Sequence, residues 1–562
     1  MAEPPYKLLE PLPKWTPEER PVIPGSPAKL EHSPRVRAAY ICTAVLVGIT
    51  GGLGNALVTA NLPTIQGELG LTPVEGAWLP AAYIMVTVSA NLLVFKFRQQ
   101  FGIRLFAEIG LTLYAILTLL HVVVRDYPMA LFVRAASGLA GAPMTSLGLL
   151  YAIQAFKKKD IGRAIVVGFG ISQLATPLAW VLSPALLDLG EWNALYVFES
   201  GLAFLSLAAV VVLKLPRGMR IQVFEPLDFL TFLLAAPALA LIGAVLAQGR
   251  VEWWSDQPWM AWAIIAAIVL LSAAFLIEHH RRNPLIQTRW LGTLPMARFT
   301  LGALTIRFLL AEQTFGAVGM LRTLGMGPDQ LQSLYAVILA GILVGLVTSA
   351  TTFSREAIVP QILVSVALIC IASFIDATAT SLDRPQQFFF SQFLMAIAGG
   401  LFFGPMLLAG FNRALQQGPN YIVTFVVLFS ITQNLGGLAG PALLNTFQQF
   451  REHEYSSEIT ADINPTNPVV AGRLQLQGQI YGRVMTDPVR RQAQGTAQLG
   501  QIATREANVL AYNDVFLLTG AMAMAYLAWS LIFVVGRARR ARAEAQASAG
   551  PGQGPALQGN PR

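Results

Sequence analysis

An all-α protein crossing a membrane many times is the fold class this sequence predicts, on three observations. Apolar residues make up 54% of the chain and charged residues 12%, against about 25% charged in a water-soluble domain. Apolar runs of about 20 residues, the length a helix needs to cross a hydrocarbon core, recur along most of the chain. Lysine and arginine collect at every second gap between the runs. That spacing is a topology signal, so the net charge of +8 does not point to nucleic acid.

Taken in order, residues 1–34 are Pro-rich with mixed charge and no apolar stretch ahead of Arg35 and Arg37. They read as a disordered cytoplasmic tail without a cleavable signal peptide. Spans are then expected at 37–60, 77–96, 104–124, 129–153, 163–187, 194–214, 228–248, 258–278, 299–321, 331–353, 358–378, 387–411, 422–447 and 513–536, fourteen in all. Basic clusters fall at Arg35/Arg37, Arg98/Arg104, Lys157–Lys159, Lys214/Arg217/Arg220, Arg281/Arg282, Arg355, Arg413 and Arg537–Arg542. In the intervening loops acids balance or outnumber bases, Asp376 and Asp383 among them. An unbroken alternation fits an even number of spans with both termini in the cytoplasm. Residues 448–511 are polar and Gln-rich, with loosely helical apolar spacing from Val469 that suggests one or two short amphipathic helices on the outer face. After Gly536 come four arginines within six residues, an inner-leaflet anchor, and then a disordered tail over 537–562.

With most loops short, chemistry must come from polar groups at membrane depth. Arg134 lies in the fourth run, and a lipid-facing arginine would cost about 2.5 kcal/mol or more, so it must face protein or water. Ser137, Gly138 and Gly141 let another helix approach that side closely. Pro177 and Pro184 remove backbone hydrogen bonds from the fifth run and make it bendable. Arg307 and Glu312 sit in the ninth run. Five residues apart, they differ by about 140° around a helix and ~7.5 Å along it, so they do not share a face. Glu312 is the proton-carrier candidate, because a carboxyl group in a dry cavity can exchange protons near neutral pH; the other reading is a permanently paired structural carboxylate. Glu199, inside the outer end of the sixth span, gates access or snorkels to water. Glu108 is placed to pair with Arg104 at i, i+4, and Asp228 to favour a helix N-terminus. Asn55, Gln173, Gln313, Gln392, Gln433 and Asn434 are candidates to line a cavity, with phenylalanines as adaptable walls. Cys42 and Cys370 both lie inside apolar runs, which excludes a disulfide framework or a Cys-based metal site. Neither a metal-ligand cluster nor a phosphate-binding loop occurs, so an enzyme, a cofactor and an ATP-driven pump are not expected.

Several pieces in sequence order resemble the fourteen-span drug:proton antiporter family (EmrB/QacA type) of the major facilitator superfamily. They are Ala60 to Leu69 (Ala-Asn-Leu-Pro-Thr-Ile-Gln-Gly-Glu-Leu), Gly76-Ala-Trp78, Arg134-Ala-Ala-Ser137-Gly138, Asn283-Pro284-Leu285-Ile286, Asn464 to Pro468 and Leu510 to Phe516. The resemblance covers about residues 40 to 536. It implies two six-helix bundles, over 35–220 and 283–536, with two extra spans over 221–282 inserted between them. It further implies alternating access driven by the proton gradient, with Arg134 in proton coupling. A periplasmic adaptor and an outer-membrane channel are implied as companions. Three departures stand out. Gly54 occupies the first-span position where the family carries an acid. Phe95, Gln99 and Gln100 replace the Gly and Asp-Arg of the loop motif, of which Gly102 and Arg104 remain. Around Pro177, Ala, Trp and Ser stand where Gly and Pro are usual.

The function expected is therefore a proton-coupled exporter of organic compounds in the inner membrane, its partners the solute, the proton and the bilayer. Glu312 carries the proton, Arg134 tunes its release, and Arg307 attracts anionic solute or pairs with Glu312. The alternatives are a facilitator or importer with lost or different coupling, and a non-transporting membrane sensor or scaffold.

Overall fold

The computed structural model describes residues 7–11, 15–16, 19–21, 25–354, 356–464 and 466–548. Arg355, Pro465 and the tail from 549 to 562 lie outside the described residues. Fourteen described helices are long and apolar enough to cross a membrane: Pro34–Ala60, Pro73–Phe101, Ile103–His121, Tyr127–Ala155, Lys158–Leu189, Trp192–Val212, Pro226–Trp253, Pro258–His280, Leu294–Thr323, Pro328–Thr351, Ile358–Asp376, Pro385–Gln417, Tyr421–Asp462 and Pro488–Gly536. They are called spans 1 to 14 in that order. Proline opens many of them, where its missing N–H costs nothing and its fixed φ suits the first turn. Span 2 has a capping box as well: Thr72 N donates to Glu75 Oε2 at 2.9 Å and Glu75 N to Thr72 Oγ1 at 3.3 Å. An even number of crossings puts both ends of the chain on one side, here called the tail side.

Spans 1 to 6 form one bundle around Tyr114, Met144, Leu147 and Tyr151, all fully buried. Spans 9 to 14 form a second around Phe402, Phe425, Ile306 and Val366. Spans 7 and 8 lie against span 2 and reach span 13, with Val88, Leu92, Ala235, Leu239, Ala274 and Val427 in one apolar cluster. The two bundles meet where span 5 packs on spans 10 and 12 and span 2 packs on span 13. Small residues allow it: a Cβ on Gly170 would lie 2.2 Å from Leu346 Cδ1, and one on Gly404 2.7 Å from Val166 Cγ1. Trp180 of span 5 stacks on Tyr335 of span 10 at 4.5 Å. Span 5 breaks at Leu174, between the helices Ile161–Gln173 and Ala175–Val212. Pro177 cannot donate to the Gln173 carbonyl, so the bend expected there is present.

Two expectations change at the ends. The segment before span 1 does not hang free where it is described. Leu8 bridges to Ile221 and Pro27 to Gly218, Ala28 is buried, and Lys29 Nζ donates to the carbonyls of Ile153 and, at 2.5 Å, Phe156. These carbonyls end span 4 without partners of their own, and a lysine is a suitable cap. The segment between the last two spans is also more helical than expected, because spans 13 and 14 run on as helix to Asp462 and back from Pro488. They flank one further helix, Pro468–Ile480, and Arg451 on the extension of span 13 pairs with Asp514 at the start of the apolar part of span 14.

Candidate functional site: buried charges within and between the bundles

In the first bundle the polar centre is built on span 1. Arg134, 1% exposed, donates from Nη1 to the Gly54 carbonyl at 3.0 Å and from Nη2 to Asn55 Oδ1 at 2.7 Å. Its Nε reaches the Leu79 carbonyl at 3.4 Å, and the guanidinium lies 4.8 Å over the Tyr83 ring. None of these acceptors is a carboxylate. Gly138, one turn on, brings span 4 against span 2: a Cβ there would lie 2.3 Å from the Tyr83 carbonyl oxygen. On the other side of Gly54 stands Glu199, 1% exposed, whose Oε1 accepts from Tyr114 Oη at 2.7 Å while Oε2 has no partner. Glu199 therefore does not snorkel to water. A Cβ on Gly54 would sit 2.3 Å from both Glu199 Oε1 and Tyr114 Oη. A carboxylate of span 6 thus occupies the space into which a side chain at position 54 of span 1 would project.

In the second bundle Glu312 opens a π-helical stretch, Glu312–Ala317, a distortion found in helices mainly at functional positions. It is fully buried. Gln392 of span 12 donates from Nε2 to Asp376 Oδ2 at 2.8 Å and to Glu312 Oε1 at 3.4 Å. Glu312 Oε2 has no partner. Asp376, read from the sequence as a loop acid, ends span 11 and is 4% exposed. Its position at the edge of an apolar run carried no sign of this, since an acid there is ordinarily solvated. Gln313 only ties the backbone, donating to the Gln392 carbonyl at 3.2 Å.

Arg307 does not meet Glu312. It lies along span 13, against Gly436 and Gly437, and its Nε donates to the Gln433 carbonyl at 3.3 Å. Among the described residues no carboxylate pairs with it. The Gln433 amide is unpartnered at both Nε2 and Oε1, and Asn434 donates locally to the Ser430 carbonyl at 2.9 Å. Gln173 is half-buried beside the break in span 5.

A third group ties the inserted pair to the first bundle on the tail side. Asp228, fully buried, accepts from the Glu225 N–H at 2.9 Å, as expected at a helix start. It also pairs with Lys96 Nζ at 2.5 Å and Arg281 Nη2 at 3.0 Å, and Arg281 Nη1 lies 2.6 Å from Glu278. The sequence reading missed Lys96 and Glu278, because their partners lie more than a hundred residues away or behind a turn. Glu108 does not pair with Arg104. It lies 3.8 Å from Lys214 Nζ, while Arg104 Nε donates to the Leu215 carbonyl at 2.7 Å. Gly102, at φ +86°, makes the turn between spans 2 and 3, a left-handed conformation that glycine adopts freely. In place of the Asp-Arg pair, Gln100 Oε1 accepts the Phe224 N–H at 3.1 Å and the Gln99 carbonyl accepts the Ile221 N–H at 3.1 Å.

The multidrug export protein EmrB of Haemophilus influenzae (strain ATCC 51907 / DSM 11121 / KW20 / Rd) is 20% identical over 497 residues, 85% of this chain and 92% of that one. The uncharacterized transporter YebQ of Escherichia coli (strain K12) is 24% identical over 178 residues, 31% of this chain; the match spans only 39% of that relative's length. The proton:xylose symporter XylE, solved with a bound bromodeoxyglucose, superposes with a TM-score of 0.52 at 12% identity, over 88% of this chain and 97% of that one. The model of the Major Facilitator Superfamily matches residues 44–441, well over half of the chain. With fourteen apolar helices in two bundles, this chain belongs to the Major Facilitator Superfamily.

Proposed function

We propose that this protein is a proton-coupled exporter of organic compounds in the inner membrane, with both termini cytoplasmic and alternating access between the bundles. One observation carries the coupling: Glu312 and Asp376, both buried, converge on the single amide of Gln392. Two carboxylates cannot both be ionised cheaply in so dry a place. One proton held by the pair provides the donor that the free Glu312 Oε2 lacks. When the π-helical turn of span 9 shifts, the pair separates and the proton leaves. Glu199, in the space of the missing first-span acid, is the second proton site, and Arg134 holds span 1 beside it. Drug export by the EmrB relative supports the direction of transport, and the alternating basic loops support the orientation. The helical extensions beyond spans 13 and 14 are where a periplasmic adaptor leading to an outer-membrane channel would meet the protein.

The second reading, a facilitator without proton coupling, draws on Gly54 alone. The two readings part in inverted vesicles made acidic inside and supplied with compounds from a panel that a deletion strain cannot tolerate. The exporter takes up solute and releases lumenal protons, and an uncoupler stops both. Glu312→Gln is expected to abolish the proton-driven uptake while leaving the melting profile of the purified protein intact. Full activity in that variant removes Glu312 from the mechanism.

A further inference from the structure

We infer that the seam between the bundles holds a built site for an amphipathic organic anion, with Arg307 and Gln433 as its polar anchor and phenylalanines as its wall. The inference rests on the exporter reading for its direction of movement but not for its chemistry. Arg307 lies thirteen residues into span 9, about 20 Å from its start and so near mid-membrane. It is half-buried there, with one hydrogen bond, from Nε to the Gln433 carbonyl, and without a carboxylate among the described residues. A guanidinium has five donors. A charge opening onto lipid at that depth would be expensive, so the free edge of the guanidinium faces the protein's own passage. Among the described residues, Lys96 and Arg281 meet carboxylates, Arg134 is closed by oxygens and a ring, and the buried Arg98, in the last turn of span 2 on the tail side, lies over the Phe95 ring. Near mid-membrane, among the described residues, Arg307 keeps a single hydrogen bond where Arg134 makes three.

The neighbouring residues show where that edge points. Gln433 and Phe429 are one turn apart on span 13 and share a face. Phe429 meets Phe169 of the first bundle edge-on at 5.3 Å, and Ser430 accepts from Asn91 of span 2 at 2.8 Å. That face of span 13 is thus the seam itself. Gln433 brings to it an amide whose nitrogen and oxygen are both buried and unpartnered, which is costly unless a ligand supplies the missing bonds. Gly436 and Gly437 leave room for the guanidinium to lie along the helix: a Cβ on Gly437 would fall 2.9 Å from Arg307 Nη2. A carboxylate or sulfonate bridging Arg307 and Gln433 accepts from the guanidinium and from Gln433 Nε2, leaving Oε1 for a donor on the solute or a water, and an aromatic body attached to it lies on Phe429, Phe169 and Phe403.

The test uses the purified full chain and a matched pair of probes, 2-naphthoate and its uncharged methyl ester, in an equilibrium binding competition. The acid is expected to bind about 10-fold or more tighter than the ester, as befits a charge-assisted bidentate contact. Arg307→Gln should bring the acid down to the ester's affinity with the ester unchanged, and Arg307→Lys should restore part of the preference. Gln433→Leu, which removes two unpartnered atoms and no structural bond, should weaken the acid as well and serves where Arg307→Gln does not fold. Equal binding of acid and ester to the unmodified protein, no acid binding at millimolar concentration, or a preference that survives Arg307→Gln each overturns the inference. If proton-driven uptake fails in the unmodified protein while the preference for the acid stands, the exporter reading falls and the anion site remains.

Discussion

At the scale of single residues, Gly54 decides most. Glycine at this position is the absence of a side chain that lets another helix's carboxylate occupy the space, since Glu199 and Tyr114 reach to within 2.3 Å of where a Cβ would be. Gly54→Ala should therefore overpack a closed polar centre at a cost of about 1–3 kcal/mol, read as a lower melting temperature of the purified protein. The double variant Gly54→Ala with Glu199→Ala should recover part of that loss, because the two changes share one space and are not additive. Additive losses would show that Gly54 and Glu199 do not compete for it. That Glu312, Arg134 and Arg307 lie within membrane helices and need partners there was legible from the sequence, because a charge within an apolar run must be answered somewhere. Their partners were not legible. Gln392 and Asp376 lie 80 and 64 residues from Glu312, and no periodicity within one helix points across such a gap.

At the scale of elements, apolar runs marked where helices meet lipid but not where helices end. Spans 13 and 14 continue beyond their apolar parts because Glu452, Glu454, Ala461, Arg490, Gln492 and Ala493 are good helix formers whatever their polarity. The described part of the segment before span 1 departs from expectation for a related reason. Its composition resembles a solvated tail, yet it is held by contacts that only the folded tail side provides. Lys29 is central to them. Burial first, and then the nearby positive charge of Arg37, lower its pKa from the usual 10.5 to about 8, beside His32, which meets Gln154 at 3.2 Å. Between those two values a free segment binds a proton that the docked one has shed, so docking should strengthen as pH rises from about 8 towards 10.5. Protease cutting ahead of span 1 should slow across that window, and Lys29→Met should remove the pH dependence. Cutting that is insensitive to pH in the unmodified protein would refute the docking role of Lys29.

At the scale of the whole molecule, the two bundles are each closed by their own packing and meet along spans 2, 5, 10, 12 and 13. The inserted pair is fixed to the first bundle by the buried ionic group of Lys96, Asp228, Arg281 and Glu278. On the proposed alternating-access reading, spans 7 and 8 would move with span 2 as the seam opens. Exchanging one proton for one monovalent organic anion would carry two elementary charges inward in each cycle. A membrane potential contributes about 2.3 kcal/mol per charge for every 100 mV, so transport should respond strongly to it. In inverted vesicles with the pH gradient clamped, an interior-positive potential imposed with potassium and valinomycin should raise the rate of 2-naphthoate uptake. Uptake indifferent to that potential would show that the cycle moves no net charge, which excludes a one-for-one exchange of a proton for the anion.

By itself the sequence determined the number of spans, their order and the identity of the charges that must be explained. Lipid penalises polar groups residue by residue, and that penalty is written locally along the chain. Which carboxylate fills the place of another, which buried acid shares an amide with a second, and which arginine is left without a counter-charge were decided only in the tertiary structure. Those are relations between helices, set by packing distances that no single stretch of sequence contains.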